Sequence, residues 1–414
     1  MRTRAVRLYG KQDLRLEEFD LPELRSDEIL AEVYTDSLCM STLKAVDRGA
    51  DHKKVPDDIA EHPIILGHEF CGKIIDVGMD WKTQYHAGDR FVIQPNIGDA
   101  RSYAPGYSFP YVGGDATKVI FHAQVMQNGS LLPYAGKSYF EGSLVEPLSC
   151  VTGAFNTNYH LPDQYSHKHI MGIKRGGNMA LLGATGPMGF LAIDLALHGK
   201  QRPRHLVVTG HTQSKLDMAE RLYPKEEAKA CGVELHYINT DRMEDFSPAL
   251  QALLPAGEGY DDVLLFVADP SMTTQAVQIL GMDGCLNFFA GPLDKNFSAK
   301  MNFFDVHYNM IHIVGNSGGN TEDMREAIAL IEQGTVQANK IVSHIMGLDQ
   351  VVPSTLQLRT LPPGKKVVYT HLEFPRYSLA DLMEGAMGKD LAKCVQEAQG
   401  FWNAEAEACL LKQM

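Results

Sequence analysis

The chain has 414 residues, 44% of them apolar and 21% charged, which is ordinary for a globular protein of two or three domains. Its formal net charge of -13 argues against a nucleic-acid partner, because phosphate binding needs a basic surface. No apolar run has the length of a membrane span, the first residues lack a secretory signal, and the seven cysteines are dispersed, so we expect a cytoplasmic protein with reduced thiols and no membrane partner.

The predicted elements change character along the chain. Residues 1–150 contain short β-rich runs separated by turns, of which the clearest are AVRLYG, EILAEVYT, GHEFCGKIIDVG and DRFVIQ. From about residue 178, apolar strands alternate with helical segments, and six strands can be counted, which predicts βαβ units and a parallel sheet. After residue 319 an amphipathic helix precedes two further strands, and the tail from residue 378 has helical periodicity.

This order of elements predicts an α/β protein that contains a doubly wound, six-stranded dinucleotide fold. We assign residues 151–318 to that fold, residues 1–150 together with 319–376 to a β-rich domain, and residues 377–414 to a helical C-terminal extension. No internal repeat or low-complexity tract interrupts the sequence.

A glycine-rich turn, GATGPMG, separates the first apolar strand of the dinucleotide fold from the helix that follows. Its three glycines would permit a tight turn, close approach of a pyrophosphate and close helix–strand packing, and the helix N-terminus offers free N–H groups. The glycine spacing is one residue longer than in the common fingerprint, and a purely structural turn is the alternative. The predicted cofactor-binding residues of this turn are Gly183, Thr185, Gly186, Pro187, Met188 and Gly189.

The end of the second strand indicates which dinucleotide is bound. Gly210 stands where an acidic residue usually binds the ribose hydroxyls, so no carboxylate would repel a 2′-phosphate. His211 and Lys215 follow, together with hydroxyl donors. We therefore predict that these three residues bind NADP(H), with NAD(H) as the alternative if the polar side chains merely cap a helix.

Four residues outside the predicted dinucleotide fold have the chemistry of zinc ligands. Cys39 follows a predicted strand, His68 and Glu69 end the apolar run IILGHEF, and Glu146 precedes the dinucleotide fold. Thiolate, imidazole and carboxylate all bind zinc, and a catalytic site takes three such ligands and keeps one position open. Each residue alone has a structural explanation, but their combination with a dinucleotide fold favours a metal that compensates the buried charge.

Several motifs resemble those of a known family. CMS, GHEFCG, HAGDRF, EPLS and GATGPMG occur in the order found in the zinc-dependent medium-chain dehydrogenases/reductases, and this resemblance covers residues 1–376. Longer stretches, DIAEHPIILGHEF, APGYS, DGCLNFFAGP and HIVGNSGGNTEDMREA, are similar to the L-sorbose-1-phosphate reductases of that family. The resemblance implies a GroES-like catalytic domain, a Rossmann domain, and hydride transfer between a nicotinamide and a carbonyl/alcohol pair.

The resemblance also implies roles for individual residues. Cys39 and His68 fall at the metal ligands, and Glu146 falls at the position of the third ligand. Glu69 would bind the metal directly or exchange with Glu146. Ser41 falls at the hydroxyl that relays the alcohol proton.

The chain also departs from the family pattern. Lys44 stands where many relatives carry a histidine at the outer end of the proton relay, which leaves the outer part of the path open. The loop QPNIGDARSYAPGYSFPYVGG lacks the four cysteines of the family's structural zinc, so we predict one zinc ion, the catalytic one. Lys366 in GKKVVYT matches a basic position that contacts cofactor phosphate.

These features together predict a zinc-dependent oxidoreductase that transfers a hydride between NADP(H) and a ketose phosphate/hexitol phosphate pair, in a homo-oligomer as in many relatives. The alternatives are a polyol or alcohol dehydrogenase for an unphosphorylated small molecule and a non-catalytic dinucleotide-binding protein. A substrate phosphate needs cations near the metal, whereas the same cations on a solvated loop would have no such role. The candidate cations are Lys44, Arg48, Lys53 and Lys54.

Overall fold

The computed structural model describes residues 1–163 and 165–412. Residues 413 and 414, the last two of the predicted C-terminal extension, and residue 164 of the predicted dinucleotide fold lie outside the described residues. The described chain forms two compact units. The first contains residues 1–147, 320–334 and those from 338 onward, and the second contains residues 148–319 and 335–337.

The helices and strands follow one another in three stretches of the chain. The first stretch contains β1 (Arg2–Gly10), β2 (Asp13–Asp20), β3 (Ile29–Ser37), α1 (Met40–Arg48), β4 (Ile64–Ile65), β5 (Phe70–Val77), β6 (Arg90–Ile93), β7 (Lys118–Phe121), α2 (Ala123–Gln127), β8 (Leu131–Pro133), α3 (Tyr139–Gly142) and α4 (Val145–Thr157). The second contains β9 (Tyr159–His160), β10 (Ile170–Met171), β11 (Asn178–Leu182), α5 (Pro187–His198), β12 (His205–Gly210), α6 (Gln213–Leu222), α7 (Lys225–Ala230), β13 (Glu234–Asn239), α8 (Ser247–Gln251), β14 (Tyr260–Leu265), α9 (Pro270–Gln278), β15 (Leu280–Phe288), α10 (Phe303–Tyr308) and β16 (His312–Val314). The third contains α11 (Thr321–Glu332), β17 (Val342–Gly347), α12 (Val351–Leu356), β18 (Lys365–Tyr369), β19 (Tyr377–Ser378), α13 (Leu379–Met383), α14 (Lys389–Glu397) and α15 (Ala404–Leu411).

The second unit is built on a parallel sheet. Six strands of its described residues pair in the order β13-β12-β11-β14-β15-β16. Numbered within this sheet, with β11 as the first strand, this is the 3-2-1-4-5-6 order of the doubly wound dinucleotide fold. Every residue of the central strand β11 is buried, as expected for a parallel sheet that is covered on both faces. The predicted six-stranded Rossmann sheet is confirmed.

The first unit is rich in antiparallel strands. The strands β2, β1 and β4 form a small sheet, and a larger sheet has the order β19-β17-β18-β3-β5-β6-β8, with β7 also paired to β3. Side chains of β3, β5, β6 and β7 form one hydrophobic core, which includes Ile29, Val33, Phe70, Phe91 and Phe121. This arrangement brings the carboxyl end of β3 between β18 and the start of β5, where the candidate site is found.

The C-terminal helices pack into the first unit through a buried carboxylate. Glu407 of α15 accepts hydrogen bonds from the backbone nitrogens of Tyr139 (2.6 Å) and Phe140 (2.8 Å) at the start of α3. It also accepts one from the Tyr369 hydroxyl at 3.0 Å, which in turn accepts one from Trp402 Nε1 at 2.7 Å. Burial raises the pKa of Glu407 to about 7.

No helix among the described residues is long and apolar enough to cross a bilayer.

Candidate active site

The glycine-rich turn of the second unit connects β11 to α5. Gly183 has a φ of 69°, and a Cβ at this position would overlap Val267. A Cβ at Gly189 would overlap the carbonyl oxygen of Ala184, whereas one at Gly186 would meet nothing within 4 Å. The protein therefore leaves open the space beside Gly186, where the free N–H groups of the α5 N-terminus could receive a phosphate. Thr185, Gly186, Pro187 and Met188 are all partly exposed there.

The second predicted cofactor segment lies where β12 ends and α6 begins. Gly210 is the last residue of β12 and is buried. His211 is exposed, with its Nδ1 2.8 Å from Thr212 Oγ1, and Lys215 is partly exposed in the first turn of α6. The side chains at this strand end are thus imidazole, hydroxyl and ammonium groups.

Cys39 is placed by the junction of β3 and α1. Its backbone is extended and caps α1, and its carbonyl accepts the Thr42 N–H at 3.1 Å. The preceding residue, Leu38, donates its N–H to the Lys366 carbonyl at 3.0 Å, which ties this junction to β18. Desolvation by the surrounding atoms raises the pKa of the Cys39 thiol to about 12, and the Glu69 carboxylate adds to the effect. A divalent cation would reverse this preference, because it stabilises the thiolate.

His68 and Glu69 lie in the loop between β4 and β5, where the predicted run IILGHEF is interrupted. Gly67 turns the chain with a φ of 86°, and a Cβ there would lie 2.6 Å from both the Asp115 nitrogen and Asp36 Oδ2. The Glu69 N–H donates to Asp36 Oδ1 at 3.1 Å. Because Asp36 belongs to β3, this bond brings the loop next to the segment that carries Cys39.

The donor atoms of Cys39, His68 and Glu69 all lie within 4.8 Å of one another, and His68 Nε2 is 3.9 Å from Glu69 Oε1. Zinc–ligand bonds place neighbouring ligands of a tetrahedral site about 3.3–3.8 Å apart, so small shifts would close the site around an ion. Burial holds the pKa of His68 well below its usual value, which keeps the ring in the neutral, metal-binding form. Thr42 Oγ1 lies 3.2 Å from Nδ1, where it can accept the ring proton and leave Nε2 for a metal. These residues fit a zinc ion.

Glu69 is only 1% exposed, and it has a cationic partner within the protein. Lys365 Nζ donates to both carboxylate oxygens, at 2.6 Å to Oε1, and Ser37 Oγ donates to Oε2. Burial alone would lower the pKa of Lys365, but the Glu69 carboxylate raises it above its usual value. The expectation that a metal alone compensates Glu69 is therefore incomplete, since Lys365 balances the same charge.

Glu146 lies in the first turn of α4 and is partly exposed. It is not among the described residues whose donor atoms form the group around Cys39 and His68. Its charge nevertheless acts on that group, because it adds to burial and to Glu69 in raising the pKa of Cys39. Its role as third ligand stays a prediction.

Lys366 follows Lys365 on β18, and consecutive strand residues face opposite ways. Its Nζ donates to the carbonyl oxygens of Pro362 and Gly364, the latter at 2.7 Å. Burial, followed by the charge of Lys365, lowers its pKa to about 8. The contact of Lys366 with cofactor phosphate also stays a prediction.

Two hydroxyl groups adjoin the cluster. Ser41 Oγ donates to Cys39 Sγ at 3.0 Å and lies 3.2 Å from His68 Nε2. The Tyr107 hydroxyl donates to Ser41 Oγ at 2.7 Å and lies 3.1 Å from His68 Nε2. Burial raises the pKa of Tyr107 well above its usual value, so its O–H keeps its proton. The pair forms a short hydroxyl chain that leads away from the ligands.

A group of cations lies beyond Tyr107. Lys54 Nζ sits over the Tyr107 ring, 4.6 Å from its centre, and the His52 ring lies parallel to it with the centres 6.1 Å apart. Burial, together with neighbouring positive charges, lowers the pKa of His52 to about 4. Those charges belong to Lys54, Arg48, Lys53 and Lys44. All four predicted phosphate-binding cations therefore act on His52, and Lys54 also contacts Tyr107 beside the metal cluster.

Sequence reasoning missed Lys365, Tyr107 and His52. The signal for Lys365 was present in GKKVVYT, because one of two consecutive lysines at the start of a buried strand must face inward. Tyr107 lies in APGYS, which carried the resemblance without a role for its hydroxyl. The sequence offered no signal for His52, because its importance depends on the folded positions of its neighbours.

The fold and the donor set are those of an oxidoreductase with a Rossmann domain and a candidate metal centre. Residues 25–128 match the family described as alcohol dehydrogenase GroES-like domain, and residues 187–333 match the family described as zinc-binding dehydrogenase. The predicted GroES-like and Rossmann fold class is thereby confirmed.

Several relatives match nearly the whole chain, and two of them are named for sugar phosphates. The L-sorbose 1-phosphate reductase of Klebsiella pneumoniae is 51% identical over 99% of this chain and 97% of its own. The mannitol-1-phosphate 5-dehydrogenase of Aliivibrio fischeri is 42% identical over the same shares. A solved zinc-binding dehydrogenase from Sinorhizobium meliloti, bound to NADP, has the same fold with a TM-score of 0.71, 18% identity, and coverage of 89% of this chain and all of its own. The chain belongs to the zinc-binding dehydrogenase family and is an oxidoreductase, as its motifs predicted.

Proposed function

We propose that this protein reduces a phosphorylated ketose to the corresponding hexitol phosphate with NADPH and catalyses the reverse oxidation with NADP. The observation that carries the proposal is the position of Lys54, whose Nζ lies over the Tyr107 ring while the Tyr107 hydroxyl reaches His68. The charges of Lys44, Arg48 and Lys53 act on the neighbouring His52 and support it. A dianionic phosphate needs such compensation, because desolvating it without partners is costly. The two relatives named for sugar phosphates at 51% and 42% identity support the same substrate class.

We propose that one zinc ion is held by Cys39 and His68, with Glu69 or Glu146 as third ligand. When bound, zinc would polarise the substrate carbonyl or lower the pKa of the alcohol. Within the protein, Thr42 is positioned to accept a proton from His68 Nδ1, and Lys365 holds the Glu69 carboxylate at the edge of the cluster. An exchange of Glu69 onto the metal would require Lys365 to release it.

The proton path proposed here runs through Ser41 and Tyr107. The Ser41 hydroxyl is adjacent to both metal-ligand candidates Cys39 and His68, so it is positioned to give a proton to the substrate oxygen or to take one from it. Tyr107 donates to Ser41 and can replace the proton that Ser41 gives up. Lys54, over the Tyr107 ring, marks the outer end of this chain and the start of the cation group.

The proposed cofactor is NADP(H), which supplies or accepts the hydride when it is bound. Gly210 places no carboxylate at the end of β12, and His211 and Lys215 offer a hydrogen-bond donor and a cation for the 2′-phosphate. The open space beside Gly186 suits the pyrophosphate. NAD(H) would be the cofactor if His211 and Lys215 only face solvent.

We also propose that the protein works in the cytoplasm as a homo-oligomer. Phe303, Phe304 and Tyr308 of α10 are largely exposed, Ile313 on the edge strand β16 is 43% exposed, and a second copy would cover such apolar side chains. Sedimentation velocity should give a mass greater than that of one chain, and a monomer at micromolar concentration would contradict the oligomer.

The experiment that tests the function compares matched substrates. Initial rates are measured with L-sorbose 1-phosphate and L-sorbose, each with NADPH and NADH, and with mannitol 1-phosphate and mannitol in the oxidative direction. Two or more charge-assisted contacts to phosphate should make kcat/KM at least about 100-fold higher for the phosphorylated member of each pair. Inorganic phosphate should inhibit competitively against the sugar.

Equal kcat/KM values for phosphorylated and free sugars would overturn the proposal in favour of a polyol dehydrogenase. The absence of turnover with all substrates, together with the absence of bound zinc, would favour the non-catalytic dinucleotide-binding protein.

A further inference from the structure

A second cluster of metal-ligand side chains lies in the Rossmann unit. In the register of β12 and β13, His205 stands opposite Glu234, and His236 follows two residues later on the same face as Glu234. His205 Nδ1 is 3.3 Å from Glu234 Oε2, and His236 Nε2 is 3.0 Å from Glu234 Oε1. The three donor atoms all lie within 4.8 Å of one another.

The hydrogen bonding of this cluster is incomplete. His205 Nδ1 is buried and has no hydrogen-bond partner among the described residues, although a carboxylate oxygen lies 3.3 Å away. A salt bridge from both rings to Glu234 would need two protonated imidazoles for one carboxylate. A divalent cation would instead use a lone pair from each ring and the charge of the carboxylate at the same time.

We propose that His205, Glu234 and His236 form a second zinc-binding site, so that the chain holds two ions rather than the one predicted from the missing cysteine cluster. Two imidazoles and one carboxylate are a donor set that zinc binds with solvent in the remaining position, and the 59% exposure of the Glu234 side chain leaves a path for the ion to enter. The site shares no residue with the centre at Cys39 and His68, because all three of its residues belong to the other unit.

The position of the site gives it a structural role. His205 and Glu234 are the first residues of their strands, whereas the glycine-rich turn follows the last residue of β11. In a parallel sheet the first and the last residues of the strands lie at opposite ends of the sheet. The ion would therefore lie at the end away from the cofactor turn. The strand β13 is at the edge of the sheet, and an ion held by His205, Glu234 and His236 would fasten it to β12.

The test uses the full-length protein loaded with zinc and dialysed against buffered free zinc in the micromolar range, followed by elemental analysis. The wild type is expected to hold two zinc ions per chain, and Glu234→Gln one, with turnover unchanged. Loss of one ligand should weaken the site on the order of 100-fold. Glu226→Gln, an exposed carboxylate of α7 in the same unit, is the matched control and should retain both ions.

A second measurement keeps the test independent of the variant's folding. Zinc added to the wild type should slow amide hydrogen exchange in β13 and raise the unfolding midpoint. In Glu234→Gln, added zinc should change neither the exchange in β13 nor the contribution of this site to the midpoint. Identical zinc content in wild type and Glu234→Gln, or unchanged exchange in β13, would overturn the second site. Zinc that binds the wild type only at millimolar concentration would show an adventitious ion only, and would overturn it as well.

Discussion

The two clusters of His and carboxylate groups differ in how much of the protein is organised around them. In the first unit, each donor has a further partner: Thr42 meets His68, Ser41 meets Cys39, and Lys365 holds Glu69. In the second unit, Glu234 reaches both His205 and His236 from an exposed position, and His205 Nδ1 has no hydrogen-bond partner among the described residues.

The difference distinguishes a catalytic metal centre from a metal site that only stabilises the fold. Partners of metal ligands fix their orientation and tautomer, which a catalytic centre requires. An ion that only joins two strands needs its ligand atoms but no further partners that orient them. Changes to the first cluster should therefore abolish turnover, and changes to the second should affect stability and metal content without affecting turnover.

The sharpest test of this contrast is Cys39→Ser against Glu234→Gln. Loss of the thiolate should remove the catalytic ion and lower kcat at least about 1000-fold, because a metal supplies several kcal/mol of charge stabilisation. Binding of NADPH, followed by fluorescence, should be retained, because Cys39 lies outside the Rossmann unit. A Cys39→Ser enzyme with near-normal kcat would break the contrast, as would a Glu234→Gln enzyme with a comparable loss.

The organisation around the first cluster can be tested through Lys365. Lys365→Met leaves the Glu69 carboxylate buried without its cation, which should cost about 3–5 kcal/mol of unfolding free energy in metal-depleted protein. The control Lys366→Met deprives two backbone carbonyls of a donor, which should cost about 1–3 kcal/mol. Adding Glu69→Gln to Lys365→Met should restore part of the loss. Equal effects of the two lysine changes in denaturant titrations would show that Glu69 does not depend on Lys365.

The cations near the first cluster should contribute to binding of the substrate phosphate, whereas an exposed lysine elsewhere in the same unit should not. Lys44→Met should raise the KM of a phosphorylated ketose about ten- to hundred-fold, since a Lys–phosphate hydrogen bond contributes roughly 1.5–3 kcal/mol. The KM of the free ketose should change much less. Lys82→Met, an exposed lysine of the same unit, serves as the control and should change neither value. A fall in kcat for both sugars would instead place Lys44 in the proton path.

The smallest expected effect concerns cofactor choice in the second unit. Gly210→Asp should shift the ratio of kcat/KM values toward NADH by roughly five- to thirty-fold, because a carboxylate repels the 2′-phosphate. A Cβ at this position would lie 2.5 Å from Thr185 Cγ2, so Gly210→Ala is needed to separate crowding from charge. A wild-type enzyme that already prefers NADH would contradict the assignment.

The parts of this structure that local sequence pattern controls were predictable. The alternation of apolar strands and helices gave the six-stranded sheet, and the glycine-rich turn appears between β11 and α5 as expected. The sequence also predicted that Cys39, His68 and Glu69 lie together, because burying a thiolate, an imidazole and a carboxylate is costly unless a metal or another partner compensates them.

What could not be predicted depends on contacts between residues far apart in the chain. Lys365 and Glu69 are separated by 296 positions, and the inward-facing lysine of GKKVVYT is decided by the register of β18 against β3. The anchoring of Glu407 to the start of α3 spans 268 positions. His205, Glu234 and His236 come together only because two parallel strands begin side by side, and no spacing rule relates residues of different strands.

The measurement that tests the catalytic assignment most directly is anomalous diffraction at the zinc absorption edge from crystals of the zinc-loaded enzyme. We predict a strong peak within bonding distance of Cys39 Sγ and His68 Nε2, about 2.3 and 2.0–2.1 Å away. A separate peak among His205, Glu234 and His236 would add the second site, but the assignment of the active centre does not depend on it. Full zinc occupancy elsewhere with no peak between Cys39 and His68 would contradict the metal centre and the chemistry proposed for it.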